Sequence, residues 1–443
     1  MNRIYSASRL PLQPGPAAWN LLLPEAPPAR ALDSDITADI AIIGAGFAGL
    51  TAARRLMELD PSLDVVVLEA GRVAEGPAGR NSGFMIDLPH DLASSGYTAG
   101  TDIDRQETEL NRSGIRYASR MAEEFSMSSA VFNPCGKINA AASARGDRHN
   151  RDYVRSLEAL GEPYELLDAG DMEKVTGSMF YVSGLYTPGT VMIQPAGYVR
   201  KLAEAISRTS TIFENSPVTE FAESGSGWRV STTGGTVSTA KIILANNGHA
   251  ESFGFFRRQL LHTFTYASMT EPFPQKLLGG ELSWGATPAD PMGTTLRRID
   301  CDDGSRIVVR SRFTCNPGMK VGPAALASAG AGHERKFFQR FPLLKQVPMA
   351  WRWAGHLCLS RNGVPAHGEV APGVFAAVCQ NGLGVTRGTL AGLSAAELVL
   401  GKESALTSAM TGYDAPAKLP PGPITWLGAN GVMRWKEWLA GRE

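Results

Sequence analysis

The sequence predicts an α/β protein of two intertwined parts, and three observations carry the prediction. Residues 39–43 are a short apolar run rich in β-branched side chains, as a parallel strand buried on both faces must be. The run breaks into Gly44-Ala45-Gly46-Phe47-Ala48-Gly49, after which Leu50, Ala53, Leu56 and Met57 recur at helical spacing until Pro61 ends the helix. A second apolar strand over residues 64–68 ends on Glu69, twenty residues beyond Gly49. Strand, glycine turn, helix, strand and terminal acid together make a βαβ unit of the Rossmann type.

Each part of that unit has a physical task. Gly44 permits the tight turn, Gly46 admits a pyrophosphate close to the backbone, and Gly49 lets helix and strand approach. The backbone of Ala45, Phe47 and Ala48 offers free N–H groups at the positive end of the helix dipole, which suits phosphate. Glu69, with Ala70 beside it, is placed to accept hydrogen bonds from a ribose diol. These residues point to a dinucleotide, either NAD or FAD.

Composition bounds the function. The 443 residues leave room for two or three domains. Lys plus Arg and Asp plus Glu both number 43, so no basic excess marks a nucleic-acid partner and a small-molecule enzyme is expected. The five cysteines (Cys135, Cys301, Cys315, Cys358 and Cys379) form no C-x-x-C, which predicts reduced thiols, no metal site and a cytoplasmic setting. No apolar run reaches the length of a membrane span. There is no second G-x-G-x-x-G, hence no separate NADPH domain.

Two stretches beyond Glu69 separate the two dinucleotides. Ala78-Gly79-Arg80-Asn81-Ser82-Gly83-Phe84 is a small-residue loop with one fixed positive charge, able to come close to a large planar ring. Near the other end, Asn381-Gly382-Leu383-Gly384-Val385-Thr386 precedes an Ala/Leu-rich helix. On these two stretches the chain resembles the D-amino-acid-oxidase-like family of FAD-dependent amine and amino-acid oxidases. The resemblance implies non-covalent FAD, with Arg80, Asn81, Ser82 and Gly83 near the flavin and the Val218 backbone on the adenine. It places Asn247 and Gly248 near the ribityl-pyrophosphate, and Gly355, Gly382, Leu383, Gly384, Val385 and Thr386 along the ring. It also implies an oxidase of a primary or secondary amine or amino acid, with γ-glutamyl amines among the substrates. Hydride would pass to the flavin, water would hydrolyse the imine, and molecular oxygen would be reduced to hydrogen peroxide. An amine dehydrogenase using another acceptor, and a flavin-binding scaffold without turnover, stay open.

The rest of the chain divides into an arm, two discontinuous domains and a tail. Residues 1–37 carry Pro11, Pro14, Pro16, Pro24, Pro27 and Pro28, and read as an extended arm packed on the body through Trp19 and Leu21 to Leu23. Residues 38–95, 190–251 and 350–402 read as one discontinuous FAD-binding domain. Residues 96–189 and 252–349 form an α+β substrate domain on a mixed sheet, and 403–443 form a tail. Helices are expected over 102–125, 150–160, 196–208, 324–340 and 388–400, with a strand pair over 131–138 and a loop over 184–189. Strands are expected over 216–221, 241–245 and 374–378, with a hairpin over 228–239 turning at Gly234-Gly235. The strands at 263–270, 294–299 and 306–312 would roof the flavin, and Trp351 to His356 would return the chain to the first domain. Trp426, Trp435 and Trp438 in the tail predict a helix docked on the body or on another subunit, with a membrane-surface role as the alternative.

Substrate-side candidates are fewer. His356 could accept a proton, with Arg361 nearby and His90 as a weaker choice. Tyr266 and Met269 lie on a strand expected to face the flavin. Arg298 or Arg297 could hold a carboxylate bidentately, but only one of them, because adjacent strand residues face opposite ways. Cys315 occupies a place where the related monomeric sarcosine oxidases tether their flavin, yet the glycines of that pattern are missing, so a buried thiol is expected. The sequence does not indicate an oligomeric state.

Overall fold

The computed structural model describes residues 3–13, 15–89 and 101–443. Pro14, His90 and the expected domain boundary at 95/96 lie outside the described residues.

The glycine turn sits at the centre of the first sheet. Ile36–Ile43 and Val65–Leu68 pair in parallel around helix Phe47–Leu59. Outward from them, Thr211–Phe213 pairs with Val65–Leu68, while Thr236–Leu244 pairs with Ile36–Ile43 and in turn with Val374–Val378. Helix Gly384–Val399 packs on helix Phe47–Leu59, and the approach is close because a Cβ on Gly392 would stand 2.3 Å from the Ala48 carbonyl oxygen.

The local readings differ from this sheet in two places. Residues 236–239 and 241–245 form one strand, Thr236–Leu244, since no turn residue interrupts them and Ile36–Ile43 pairs along nearly the whole length. The N-terminal arm is not wholly irregular. Ile4–Ser6 precedes the prolines, retains its N–H groups, and adds an antiparallel edge to Val218–Ser224. Ala18–Leu21 is a short helix.

The second sheet has eight strands in the order Met349–Leu359, Leu261–Thr270, Gly304–Cys315, Thr295–Cys301, Trp284–Pro288, Lys137–Ala141, Ser183–Thr187, Glu165–Asp168. It is mixed, because Trp284–Pro288 runs parallel to Lys137–Ala141 while the other neighbours are antiparallel. Helix Pro323–Arg340 packs behind it, with its Ala329 against Phe264, Tyr266 and Ala354.

Here the sequence misled at three points. The stretch 184–189 is mostly strand, Ser183–Thr187, wedged between two others. The pair expected over 131–138 is divided: Lys137–Ala141 joins the eight-stranded sheet, whereas Phe132–Asn133 joins Val191–Ile193 and Phe84–Met85 in a three-stranded one. Trp351 to His356 does not return to the first domain; Met349–Leu359 is the edge strand of the second sheet, paired along Leu261–Thr270. The return comes with Ala366–Ala371, which pairs with Val374–Val378.

Candidate active site

The main cavity runs between the two sheets, from the glycine turn to strand Met349–Leu359. Its wall includes Gly44, Ala45, Gly46, Phe47, Ala48, Glu69, Ala70, Arg80, Asn81, Val218, Asn247, Gly355, His356, Gly382 and Gly384. Elements far apart in the chain therefore meet on one surface. Arg9, Leu10, Pro11, Leu12 and Gln13 complete the wall, so the arm covers the cavity as well as packing on the body.

The wall has the character of a dinucleotide site. Gly44 has φ +109°, and helix Phe47–Leu59 begins after Gly46 with no side chain capping its first N–H groups. Glu69 is half-buried on the wall, and Oε2 accepts from the Ala45 N–H at 2.8 Å while Oε1 accepts from the Gly71 N–H at 3.2 Å. Burial pushes its carboxyl up, against the pull of these N–H groups. Thr265 Oγ1 and Asn246 Oδ1, both on residues of the wall, are buried without a protein partner. Polar atoms in that state are satisfied by a bound group or by ordered water, and both lie where a cofactor could reach them.

Several expected contacts act from behind the wall. A Cβ on Gly49 would lie 1.8 Å from the Gly44 carbonyl oxygen, so that glycine shapes the turn. Gly83 has φ +80°, and its Cβ would lie 2.2 Å from Arg297 Nη1 and 2.3 Å from the Ile193 oxygen. A Cβ on Gly248 would press on the rings of His262 and His356, at 2.8 Å from each. Leu383 is the residue before helix Gly384–Val399, and Thr386 donates to the Ile86 oxygen at 3.0 Å. Arg80 lines the cavity, but its guanidinium donates to the carbonyls of Glu75, Ala354 and Gly15, tying loop, second sheet and arm together. Burial lowers its pKa to about 10, so it stays charged at neutral pH. Trp19 and Trp353 fix the same loop by donating to the Asn81 and Arg80 carbonyls, each at 2.9 Å.

A smaller cleft adjoins the cavity. Asn81, Gly382 and Gly384 belong to both walls, and Ser82, Phe84, Ile86, Thr287, Thr295, Arg310 and Val385 belong to the cleft alone. Arg310 is the one charged side chain among the described residues of its lining.

The substrate-side candidates fare differently. His356 is on the cavity wall, but Nε2 lies 3.2 Å from His262 Nδ1, whose Nε2 is 2.5 Å from Glu251 Oε2, and its ring stacks on Phe264. Burial and the two neighbouring imidazoles hold it neutral, well below the usual histidine range. Tyr266 faces the other way, with its hydroxyl 2.8 Å from Thr314 Oγ1 and its ring in the core under helix Pro323–Arg340; Met269 is likewise core. Their neighbour Thr265 is the residue on the cavity side.

Neither expected arginine reaches the cleft. Arg298 donates to the carbonyls of Gln275, Leu278 and Gly279 and to Ser305 Oγ, and Arg297 donates to those of Ser82, Gly83 and Ile193. Arg361 is exposed on the surface. Cys315 is buried off the cavity, its backbone bonded to Asn430, so it is not placed to tether a cofactor; the thiol on the cavity wall is Cys358. Thr265, Arg310 and the arm residues carried no sequence signal, because nothing local to them states which way they face.

Comparison with known proteins decides the family. The family described as "FAD dependent oxidoreductase" (DAO) matches residues 39–398. The chain belongs to it. This FAD-dependent oxidoreductase is 25% identical to the gamma-glutamylputrescine oxidoreductase of Escherichia coli over 403 residues, covering 90% of each chain. It is 26% identical to the "Probable oxidoreductase OrdL" of Haemophilus influenzae over 384 residues, covering 84% of each. Glycine oxidase from Geobacillus kaustophilus shares the fold with a TM-score of 0.69 at 19% identity, covering 87% of this chain and 99% of that one. The α/β architecture with a second, mixed sheet is the one this family uses to hold FAD, which settles NAD against FAD.

Proposed function

We propose that this FAD-dependent oxidoreductase oxidises an amine or amino acid at the C–H beside its nitrogen, with FAD in the long cavity and the substrate in the smaller cleft. The supporting observation is that the two share Asn81, Gly382 and Gly384, so a substrate and a flavin ring would meet there. Bound FAD supplies the acceptor for the two electrons and the hydrogen that leave that carbon.

The chain's own residues do the rest. Glu69 would hold the ribose, the open N–H groups after Gly46 the pyrophosphate, Val218 the adenine, and Asn247 the ribityl-pyrophosphate stretch. The start of helix Gly384–Val399, uncapped by any side chain, would set its positive dipole where negative charge gathers on the ring. Arg310 would fix a carboxylate or other acidic group of the substrate, and Thr295 offers a hydroxyl beside it. The described lining of the cleft holds no carboxylate or imidazole, so the neutral amine is favoured by desolvation rather than by a base.

The relatives' names fit this reading, since one acts on a γ-glutamyl amine and another on glycine. The acceptor in the second half of the cycle is molecular oxygen, reduced to hydrogen peroxide, in a cytoplasmic protein whose five cysteines are all free. The test is anaerobic addition of amines, γ-glutamyl amines and amino acids while the flavin absorbance is followed. Bleaching by one class, reversed by air with peroxide formed, is expected. Bleaching that air fails to reverse would move the acceptor from oxygen to a carrier, and no bleaching by any of them would refute the reading.

A further inference from the structure

Three titratable side chains form a hydrogen-bonded row from a surface cleft to the wall of the long cavity. Glu251 and His262 line the cleft, beside Ser8 and Arg9 of the arm, whereas His356 lines the cavity. His262 Nε2 lies 2.5 Å from Glu251 Oε2, and His262 Nδ1 lies 3.2 Å from His356 Nε2. Strand pairing sets the row. Phe264 stands opposite His356 on strands Leu261–Thr270 and Met349–Leu359, so His262, two residues before Phe264, is the diagonal neighbour of His356 on the same face. The turn Asn247–Phe253 brings Glu251 to the far side of His262, and a Cβ on its Gly248 would press on both rings.

The hydrogen bonds fix where the protons sit. A carboxylate only accepts, so His262 donates through Nε2, and its Nδ1 is left to accept from His356 Nε2. His356 Nδ1 makes no hydrogen bond to a described residue, and its ring lies on the cavity wall. The two imidazole side chains are buried while Glu251 keeps 23% of its side chain open, so the row has one wet end. The other titratable or charged groups around it are His249, Arg9, Arg257 and Arg258, with the thiols Cys315 and Cys358. Glu251 is the one carboxylate in that described set, and its Oε1 accepts from the Arg258 N–H at 2.8 Å. His249 offers no second row, because it meets Ser252 Oγ, which turns to the Met319 sulfur. Burial and the neighbouring imidazoles hold His356 neutral, so it passes on a second proton rather than keeping it.

We propose that Glu251, His262 and His356 form a reversible proton relay between the surface cleft and the cavity. Outward, a proton taken up at His356 Nδ1 moves the His356 Nε2 proton to His262 Nδ1 and the His262 Nε2 proton to Glu251 Oε2. Inward, the same transfers run in reverse. Each ring gains one proton and loses one, and neither ring has to turn. The relay rests on the reading above only in that FAD fills the long cavity and shuts out bulk water. An amine that arrives as an ammonium and reacts neutral sheds one proton. Oxygen then takes two electrons and two protons to become hydrogen peroxide; the hydride from the substrate carries both electrons and one proton, and the relay returns the other.

The full-length, FAD-loaded protein is reduced anaerobically with dithionite and mixed with oxygen or with a soluble quinone, which makes the test independent of both the amine and the natural acceptor. His262→Phe should slow reoxidation by at least about tenfold with flavin content unchanged, and added imidazole should restore part of the rate. Glu251→Gln, at the half-exposed end, should slow it likewise. In the FAD-free protein, imidazole nitrogen resonances should show His262 and His356 protonated at Nε2, and Glu251→Gln should shift the His356 signals although the two side chains do not touch. Unchanged reoxidation with both acceptors in both variants, slowing that no small proton donor relieves, or a His356 proton resting on Nδ1 would overturn the proposal.

Discussion

Replacing Arg297 by Met tests whether this arginine serves the fold or the substrate. Its guanidinium donates to the Ile193 carbonyl at 2.5 Å, and to those of Ser82 and Gly83 at 3.3 and 3.4 Å. It also lies 5.3 Å over the Trp19 ring. Burial lowers its pKa to about 10, so the group is charged at neutral pH. A charge-assisted bond contributes roughly 1.5–3 kcal/mol and a desolvated cation–π contact about 2, while the two long bonds add little. Removing the charge also removes its burial cost, so the net loss is set at about 2–4 kcal/mol. At about 2.1 cal/mol/K per residue, 443 residues give an unfolding entropy near 0.9 kcal/mol/K, so a cooperative transition should fall by about 2–4 °C. The flavin loop loses its clamp, and FAD should bind at least about tenfold more weakly. Differential scanning calorimetry of the FAD-free protein and a flavin-fluorescence titration measure both. An unchanged Tm with a raised KM for acidic substrates would refute the reasoning and return Arg297 to the substrate.

The same geometry sets four further outcomes. Arg310→Gln should raise KM for carboxylate-bearing substrates by about 10–100-fold with little effect on Tm, and equal KM values would remove Arg310 from the site. Gly49→Ala should abolish FAD binding or folding, because its Cβ would lie 1.8 Å from the Gly44 oxygen; a folded variant that binds FAD normally would contradict the turn described here. Glu69 is raised above its ordinary pKa in the FAD-free protein, so its contribution to stability is lost as pH rises above about 4.5 through the folded pKa. Glu69→Gln should flatten that slope in urea titrations and weaken FAD by about 10–100-fold, the equivalent of one charged hydrogen bond. Burial lowers His249 and His367 to about 4 and His333 to about 3, so their contribution is present above pH 6.5 and lost on acidification, by about 1.4 kcal/mol per unit for each. Urea unfolding at pH 7, 6 and 5 measures the slope, and equal stability at pH 7 and 5 would exclude three buried neutral imidazoles.

The sequence determined the cofactor half of this protein. Residues 39–69 specify their βαβ unit through interactions that are local in the chain: β-branched runs, helical periodicity, a proline stop, and glycines where the backbone must approach itself. Gly49 against Gly44 is a contact five residues apart, and so is legible without the fold. Helices over Thr101–Glu124 and Pro323–Arg340 were equally plain from their periodicity.

Only the tertiary structure decided which side chains face the cavity. Strand Leu261–Thr270 is buried on both faces, so it has no polar alternation to mark its two sides. Period two then makes Thr265 and Tyr266 exclusive choices, and a register shift between them relative to Gly304–Cys315 hides the phase further. For the same reason Arg297 and Arg298 looked like carboxylate anchors, although each donates to carbonyls that only folding brings near. Arg310, on the neighbouring strand, reaches the cleft. Sheet membership of Met349–Leu359 was hidden too, because pairing with a strand some ninety residues away leaves no trace in local spacing. Local chemistry wrote the cofactor site into the chain; the facing of doubly buried strands, and hence the substrate side, exists only once long-range pairing has fixed register.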